Sequence, residues 1–259
     1  CPDREKGQWI GDVSVQVPQV FYLLDRKADT LVEKAISDFI HLRKGDVLVG
    51  NVPGVNFIEL PAQSLNAISM IGMISIYYQY TKDKTILETA FEPMVSYLKL
   101  WQTTSEDTLV RREGDWDWYD HLENVDRVVL EYAWYYSALT FIETVGKLLK
   151  QDHHDPFVQA RKRLVEKQFP TFWKKNFYSS TNTPDERANA MAVLSGLAPK
   201  SYYEAIKEVL IHVEHASPYM ENYILDALCE MGYKKEAHDR ALRRYDALIQ
   251  NDNTTLWEN

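Results

Sequence analysis

Apolar residues recur at helical spacing along almost the whole chain, and the alternation that marks strands is nearly absent. That pattern restricts the fold to helices packed on helices. It predicts helices over residues 12–25, 28–43, 61–81, 84–102, 125–150, 156–169, 185–197, 201–213, 218–231 and 234–250. Pro61, Pro156 and Pro218 stand where a helix can begin, since proline presets φ and the first turn leaves its N–H unpaired anyway. Asp29, Asp185 and Ser201 are expected N-caps, and Gly45, the Ala198-Pro199 pair and Gly232 are expected stops. Pro18 and Pro93 fall inside helical stretches, where a missing N–H should kink or divide the helix.

The connections alternate in chemistry. CPDREKGQWIGD precedes the first helix, NFIELPAQSLN spans residue 61, and GDWDWYDHLEN precedes residue 125. TPDERAN, ASPYMEN and TTLWEN occupy the starts at 185, 218 and 258. Each is rich in acids, amides or aromatics, whereas the turns DRKAD, TKDKT and GYKKE are merely charged. Six rich helix starts separated by bland ones fit six inner helices whose N-termini gather round one pocket inside six outer ones, an (α/α)6 toroid. An α-solenoid is the alternative arrangement of stacked helix pairs, with its rich loops spread along an edge. No low-complexity linker interrupts the array, so residues 1–259 read as one helical domain. On this count about ten to eleven of the twelve helices are present, with one outer helix expected before Cys1 and one inner helix after Asn259. The chain is thus expected to be a fragment, a processed piece or a trimmed form of a longer protein.

Composition narrows the partners. Lysine and arginine total 29 against 38 acids, a net charge of −9 with no basic run, so a nucleic-acid partner is not expected. No apolar stretch approaches the ~18–20 residues needed to cross a bilayer, so no membrane insertion is expected either. Cys1 and Cys229 make no disulfide framework and leave the compartment open. His212 and His215 have helical spacing, but no third metal ligand lies near them in sequence, and an exposed helix end is the simpler reading. Asn253-Thr254-Thr255 fits a glycosylation sequon that matters only in a glycosylating host. The 7 Trp and 16 Tyr, many beside acids, suit core packing or a sugar platform.

Glycoside hydrolysis needs one protonated and one ionised carboxyl across the scissile bond, held roughly 6.5–9.5 Å apart when the anomeric centre is inverted. A toroid can bring Glu5 and Glu258 together despite their separation in sequence. Glu258 sits at an expected helix N-terminus, whose partial positive charge favours a carboxylate and suits a general base. Glu5 lies upstream of its helix near Trp9 and Asp12, an apolar neighbour and a like charge that would raise its pKa and suit a general acid. Taken singly, each such acid could equally be a cap or a solvated side chain, and each tryptophan a packing residue.

Cys1 to Asp12 resembles the signature Asp-Cys-Pro-x-Arg-Glu-x-x-Gly-x-Trp-x-Gly-Asp of the α-L-rhamnosidases of glycoside hydrolase family 78. Gly114-Asp115-Trp116 and TTLWE (Thr254 to Glu258) resemble two later motifs, and residues 184–198 and 216–233 are also similar to the family, all in order. The resemblance implies an (α/α)6 domain that removes terminal α-L-rhamnose with inversion, without a cofactor or a metal in the chemistry. Position by position it implies that Glu5 is the general acid, Glu258 the general base and Asp12 a sugar-binding acid. Trp9 and Trp116 would line the pocket, giving the rhamnose methyl group an apolar wall, and Arg4 and Asp115 would flank them.

The chain also departs from the family. The motif's leading Asp would precede Cys1, and a pocket histidine would lie beyond Asn259. The LPAQSLN segment is less family-like than a sugar-contacting loop should be, and the β-sandwich domains usual around the toroid are absent from these residues. The sequence alone leaves two other functions open: another inverting exo-glycosidase on the same fold, and a catalytically silent carbohydrate-binding protein.

Overall fold

The structure, a computed structural model, describes residues 7–54, 56–121, 123–151 and 153–250, without the side chains of 247–249. Arg4, Glu5 and Glu258 therefore lie outside the described residues.

Among the described residues there are eleven α-helices and no strand beyond isolated bridges. They are α1 (Ile10–Leu23), α2 (Asp29–His41), α3 (Pro61–Ala67), α4 (Met73–Thr81), α5 (Lys84–Leu98) and α6 (Arg127–Leu149). After them come α7 (Asp155–Gln168), α8 (Glu186–Leu194), α9 (Tyr203–His212), α10 (Pro218–Glu230) and α11 (Lys234–Ile249). Nine of the ten helices expected from periodicity are found within four residues of their expected bounds. No described helix is long and apolar enough to cross a membrane.

The chain forms two compact units, Cys1–Trp118 with Trp134–Val165, and Tyr119–Ala133 with Glu166–Asn259. In the first, α1 packs on α2, α3 and α4, and α2 packs on α5. Here α2 buries Val32, Ala35, Ile36, Phe39 and Ile40, a single stripe, while all seven residues of α3 are buried. Stripes of this kind hold short helices on their neighbours, each side chain contributing about 1.5–3 kcal/mol. In the second unit α10 packs on α8, α9 and α11. The eight residues from Glu186 to Val193 of α8 are buried, whereas α9 buries only Ile206, Val209 and Leu210. α3 and α8, which begin in rich segments, are thus enclosed on more sides than α2 and α9.

Several local expectations need correction. The helix expected over 61–81 is broken between α3 and α4. Ser69 N–H donates to Asn66 O at 3.0 Å, Gly72 N–H to Ser69 O at 3.1 Å, and Met70 N–H to the Ser137 hydroxyl at 3.3 Å. The break needs glycine at 72, because a Cβ there would lie 2.0 Å from Asn66 O and 2.5 Å from Ala67 O. Asp185 caps α8 as expected, accepting from Arg187 N–H. Asp29 instead lies inside the first turn of α2, paired with Arg26 at 2.6 Å, while Asp25 caps the short 3-10 turn before it. Ser201 likewise sits within a 3-10 turn. Pro18 and Pro93 lie inside α1 and α5 without dividing them. Gly232 ends α10 as expected, with φ +93° and Tyr233 N–H closing on Leu228 O at 2.8 Å.

Gly72 has φ −87°, which any residue can adopt, so the cost of a substitution there is steric. Gly72→Ala should lower unfolding stability by about 1–3 kcal/mol through overpacking against backbone. Gly45→Ala should cost less, since a Cβ at Gly45 meets nothing within 4 Å and only its φ of +59° is unfavourable. Urea titration of both variants checks the order, and equal midpoints would contradict it.

Candidate functional site

The first unit holds the described residues expected to bind sugar. Residues 8–10 enter α1 as an extended lead antiparallel to 50–53: Gln8 N–H donates to Pro53 O, Val52 N–H to Gln8 O and Ile10 N–H to Gly50 O, each at 2.9 Å. Gly7 lies so close to Asn51 that a Cβ would be 2.6 Å from its amide nitrogen. The Gln63 side chain of α3 accepts Gly11 N–H at 3.1 Å. The amide of LPAQSLN therefore anchors the backbone of the motif that carries Trp9. Trp9 occupies the N-cap position of α1, and Asp12, solvent-exposed, stands in its first turn.

The loop before α6 carries Gly114-Asp115-Trp116, clamped to Glu59. Asp115 N–H and Trp116 N–H both donate to Glu59 O, at 3.0 and 3.2 Å, while the Asp115 carboxylate accepts Glu59 N–H at 2.7 Å. Gly114 has φ +62°, and a Cβ there would lie 2.7 Å from Pro61 Cδ and 2.8 Å from Glu59 O, so glycine is required twice over. The Glu59 carboxylate is itself held bidentately by Arg112, at 2.5 and 2.9 Å, and accepts from the Tyr97 hydroxyl at 3.3 Å. Burial, reinforced by the Glu59 charge, pushes the Tyr97 phenol well above its ordinary range, which keeps it a donor.

This clamp sets Trp116 against Trp9, edge to face with ring centroids 6.0 Å apart, and Trp116 remains 46% exposed. Trp118 continues the aromatic strip 6.2 Å from Trp116. Two motifs more than a hundred residues apart thus present their indoles side by side, half open to solvent. A neighbouring cavity of ≈ 460 Å³ is lined by Glu59, Gln102, Arg111, Arg112 and Asp115 among others. Of the described residues expected in the sugar site, only Asp115 lines it. The volume is within the ordinary range for small-ligand pockets.

The second unit shows what most of the remaining acids at helix starts do. Arg187 is fully buried, donating to Asp185 at 2.7 Å, Asp120 at 3.2 Å and the Glu123 carbonyl at 2.7 Å. Asp126 accepts Val129 N–H at 3.1 Å, capping α6, and also Ser180 N–H at 2.6 Å. Asp126 N–H in turn donates to Asp185 at 2.7 Å. Burial raises the Asp185 carboxyl to about 6, against the pull of Arg187 beside it. Ser217 donates to Asp120 through both its N–H and its hydroxyl. Glu186 accepts His215 N–H and Ala216 N–H at 2.5 and 2.6 Å. Glu221 is bidentate to Arg240 at 2.6 and 2.8 Å. Removing one partner of such a buried pair strands the other charge at a cost of about 3–5 kcal/mol.

His212 and His215 do not combine as ligands. His212 donates to Glu208 O from the exposed end of α9, and His215 faces the Glu186 carboxylate at 4.0 Å. Sequence reasoning missed Arg112, Arg187 and Gln63. Gln63 and Arg187 stand in segments rich enough to flag, whereas nothing in the sequence around Arg112 marks it as the partner of Glu59.

The family model for the bacterial α-L-rhamnosidase six-hairpin glycosidase domain matches residues 1–259. No curated protein matches the chain in sequence. Among solved structures, a rhamnosidase from Klebsiella oxytoca with rhamnose bound superposes with a TM-score of 0.79 at 16% identity, covering 99% of this chain and 52% of that one. A family 78 rhamnosidase of Bacillus sp. GL1 gives 0.79 at 16% identity over 100% of this chain and 29% of its own. A Streptomyces avermitilis α-L-rhamnosidase complexed with L-rhamnose gives 0.78 at 17% identity, over 97% and 25%. The chain therefore spans from about half to a quarter of the length of these relatives. At such identities the likeness shows the fold, the all-α six-hairpin (α/α)6 class expected from the alternating helix starts. With the family model matched from first residue to last, the chain belongs to the bacterial α-L-rhamnosidase six-hairpin glycosidase domain family.

Proposed function

We propose that this chain is the catalytic domain of an inverting α-L-rhamnosidase, acting on a rhamnose-containing carbohydrate within a larger multidomain protein. The observation that carries the reading is the Trp9–Trp116 pair, which joins the two aromatic positions that motif resemblance assigns to the rhamnose pocket. An apolar corner open on one side suits a sugar whose C5 bears a methyl group. Asp12 in the first turn of α1 and Asp115 beside Trp116 supply carboxylates to bind hydroxyls, and Arg4 flanks the same motif.

In this reading Glu5 protonates the leaving oxygen as general acid, and Glu258 activates water on the opposite face of the ring as general base. The bond from the anomeric carbon to the leaving oxygen breaks as the water oxygen attacks. The water proton passes to Glu258 and the proton of Glu5 leaves with the alcohol. Most of the described acids at helix starts are committed to backbone groups and buried arginines, which concentrates this chemistry on the motifs at the two ends of the sequence.

The test is hydrolysis of a panel of aryl glycosides by the full-length protein. Aryl α-L-rhamnoside should be the preferred substrate, and cleavage of a different sugar alone would overturn the assignment. Glu5→Gln and Glu258→Gln should each lower kcat by about 10²–10⁴-fold while leaving thermal unfolding unchanged. Full activity in both would refute the residue roles. Trp116→Ala should lower kcat/KM on the same substrate by about tenfold, equivalent to ~1.4 kcal/mol of binding. Because Trp116 is half exposed, the change in stability should stay within about 0.5 kcal/mol. An unaltered kcat/KM would remove Trp116 from the sugar site.

A further inference from the structure

We propose that Glu92, His153 and His154 form a surface site for a divalent transition-metal ion of the zinc type. Glu92 lies on α5, and the two histidines end the turn that leads into α7. His153 Nε2 is 3.0 Å from Glu92 Oε1, and His154 Nε2 is 3.1 and 3.0 Å from Oε1 and Oε2. One ligand atom from each of the three side chains lies within 4.8 Å of the others. A tetrahedral zinc bound at ~2.0–2.1 Å by imidazole nitrogen and ~2.0–2.2 Å by carboxylate oxygen holds its ligand atoms roughly 3.3–3.4 Å apart. The imidazole–carboxylate separations therefore need to open by only a few tenths of an ångström to admit the ion.

The ligands are also held in place. Both imidazoles pack against Phe91, at centroid distances of 6.5 Å for His153 and 5.9 Å for His154, and against each other at 4.0 Å. The His154 side chain is only 14% exposed, whereas His153 and Glu92 are 58% and 56% exposed, so solvent can reach the remaining coordination positions. Two imidazoles and one carboxylate suit zinc, nickel or copper rather than calcium or magnesium, which prefer oxygen. Lys99 Nζ stands 3.4 Å from His154 Nδ1 on an exposed, flexible stem. When the ion takes Nε2, Nδ1 carries the ring proton and the ammonium turns to solvent. The ion would tie α5 to the turn before α7, and it lies outside the chemistry proposed for sugar hydrolysis. Sequence reading passed over the site because Glu92 is 61 residues from His153.

Calorimetric titration of the full chain with Zn²⁺, in a Cys1→Ser/Cys229→Ser background that removes competing thiols, tests the site. A single equivalent should bind, and it should raise the unfolding temperature as any native-state ligand does. Glu92→Gln, His153→Ala and His154→Ala should each weaken binding by about tenfold or more. His153 is mostly exposed, so its variant remains a fair test even if the His154 variant unfolds. Co²⁺ should show the intense visible bands of low coordination in the parent and lose them in the His153 variant. Absence of binding, or binding unchanged in both His153→Ala and Glu92→Gln, would overturn the proposal.

Discussion

A helix that starts in a protein interior brings several unpaired backbone N–H groups out of water, and each needs an acceptor. That requirement organises much of both units. Asp126 and Asp185 cap their own helices, and Glu186 accepts the N–H groups of residues 215 and 216 just ahead of α10. In the first unit Gln63 accepts Gly11 N–H at the start of α1, and Asp115 accepts Glu59 N–H just ahead of α3. Buried arginines then balance the accumulated charge: Arg187 with Asp185 and Asp120, Arg240 with Glu221, and Arg112, less deeply, with Glu59. Loops that could otherwise fray are fixed by charge-assisted bonds from partners far away in sequence.

This changes how the acid-rich helix starts should be understood. Read as sequence, they look like a collection of candidate catalytic carboxylates. In the structure most of those described are scaffold, spent on N–H groups and guanidinium ions. What they position is more telling: the Glu59–Asp115 exchange holds Trp116 against Trp9, and the bonds from residues 8–11 to 50–53 and Gln63 aim Trp9 itself. The result is an apolar corner on rigid backbone, and the proposed acid belongs to the same segment as Trp9.

The helices were legible because a stripe such as Val32, Ala35, Ile36, Phe39 and Ile40 writes its period directly into the chain. The break between α3 and α4 was not, because it depends on a hydroxyl from Ser137 and on the crowding of Gly72 by its own preceding turn. Asp185 could be read as a cap since its acceptor role is local, whereas Glu59–Arg112 and Asp120–Ser217 join residues 53 and 97 positions apart. No local pattern announces such pairs. The meeting of Trp9 with Trp116 was legible only through the motifs that carry them. Motif resemblance likewise named Glu5, Arg4 and Glu258, which lie outside the described residues and stand on that resemblance together with their expected places at helix starts.

Inversion at the anomeric carbon is the outcome that the proposed acid and base must produce. An acid and a base acting across the scissile bond, with water between base and sugar, fix the stereochemistry of the first product. Proton NMR of the full-length protein turning over an aryl α-L-rhamnoside, recorded before mutarotation, should show β-L-rhamnose appearing first. If α-L-rhamnose appears first, the base-activated water is wrong and a covalent intermediate must take its place.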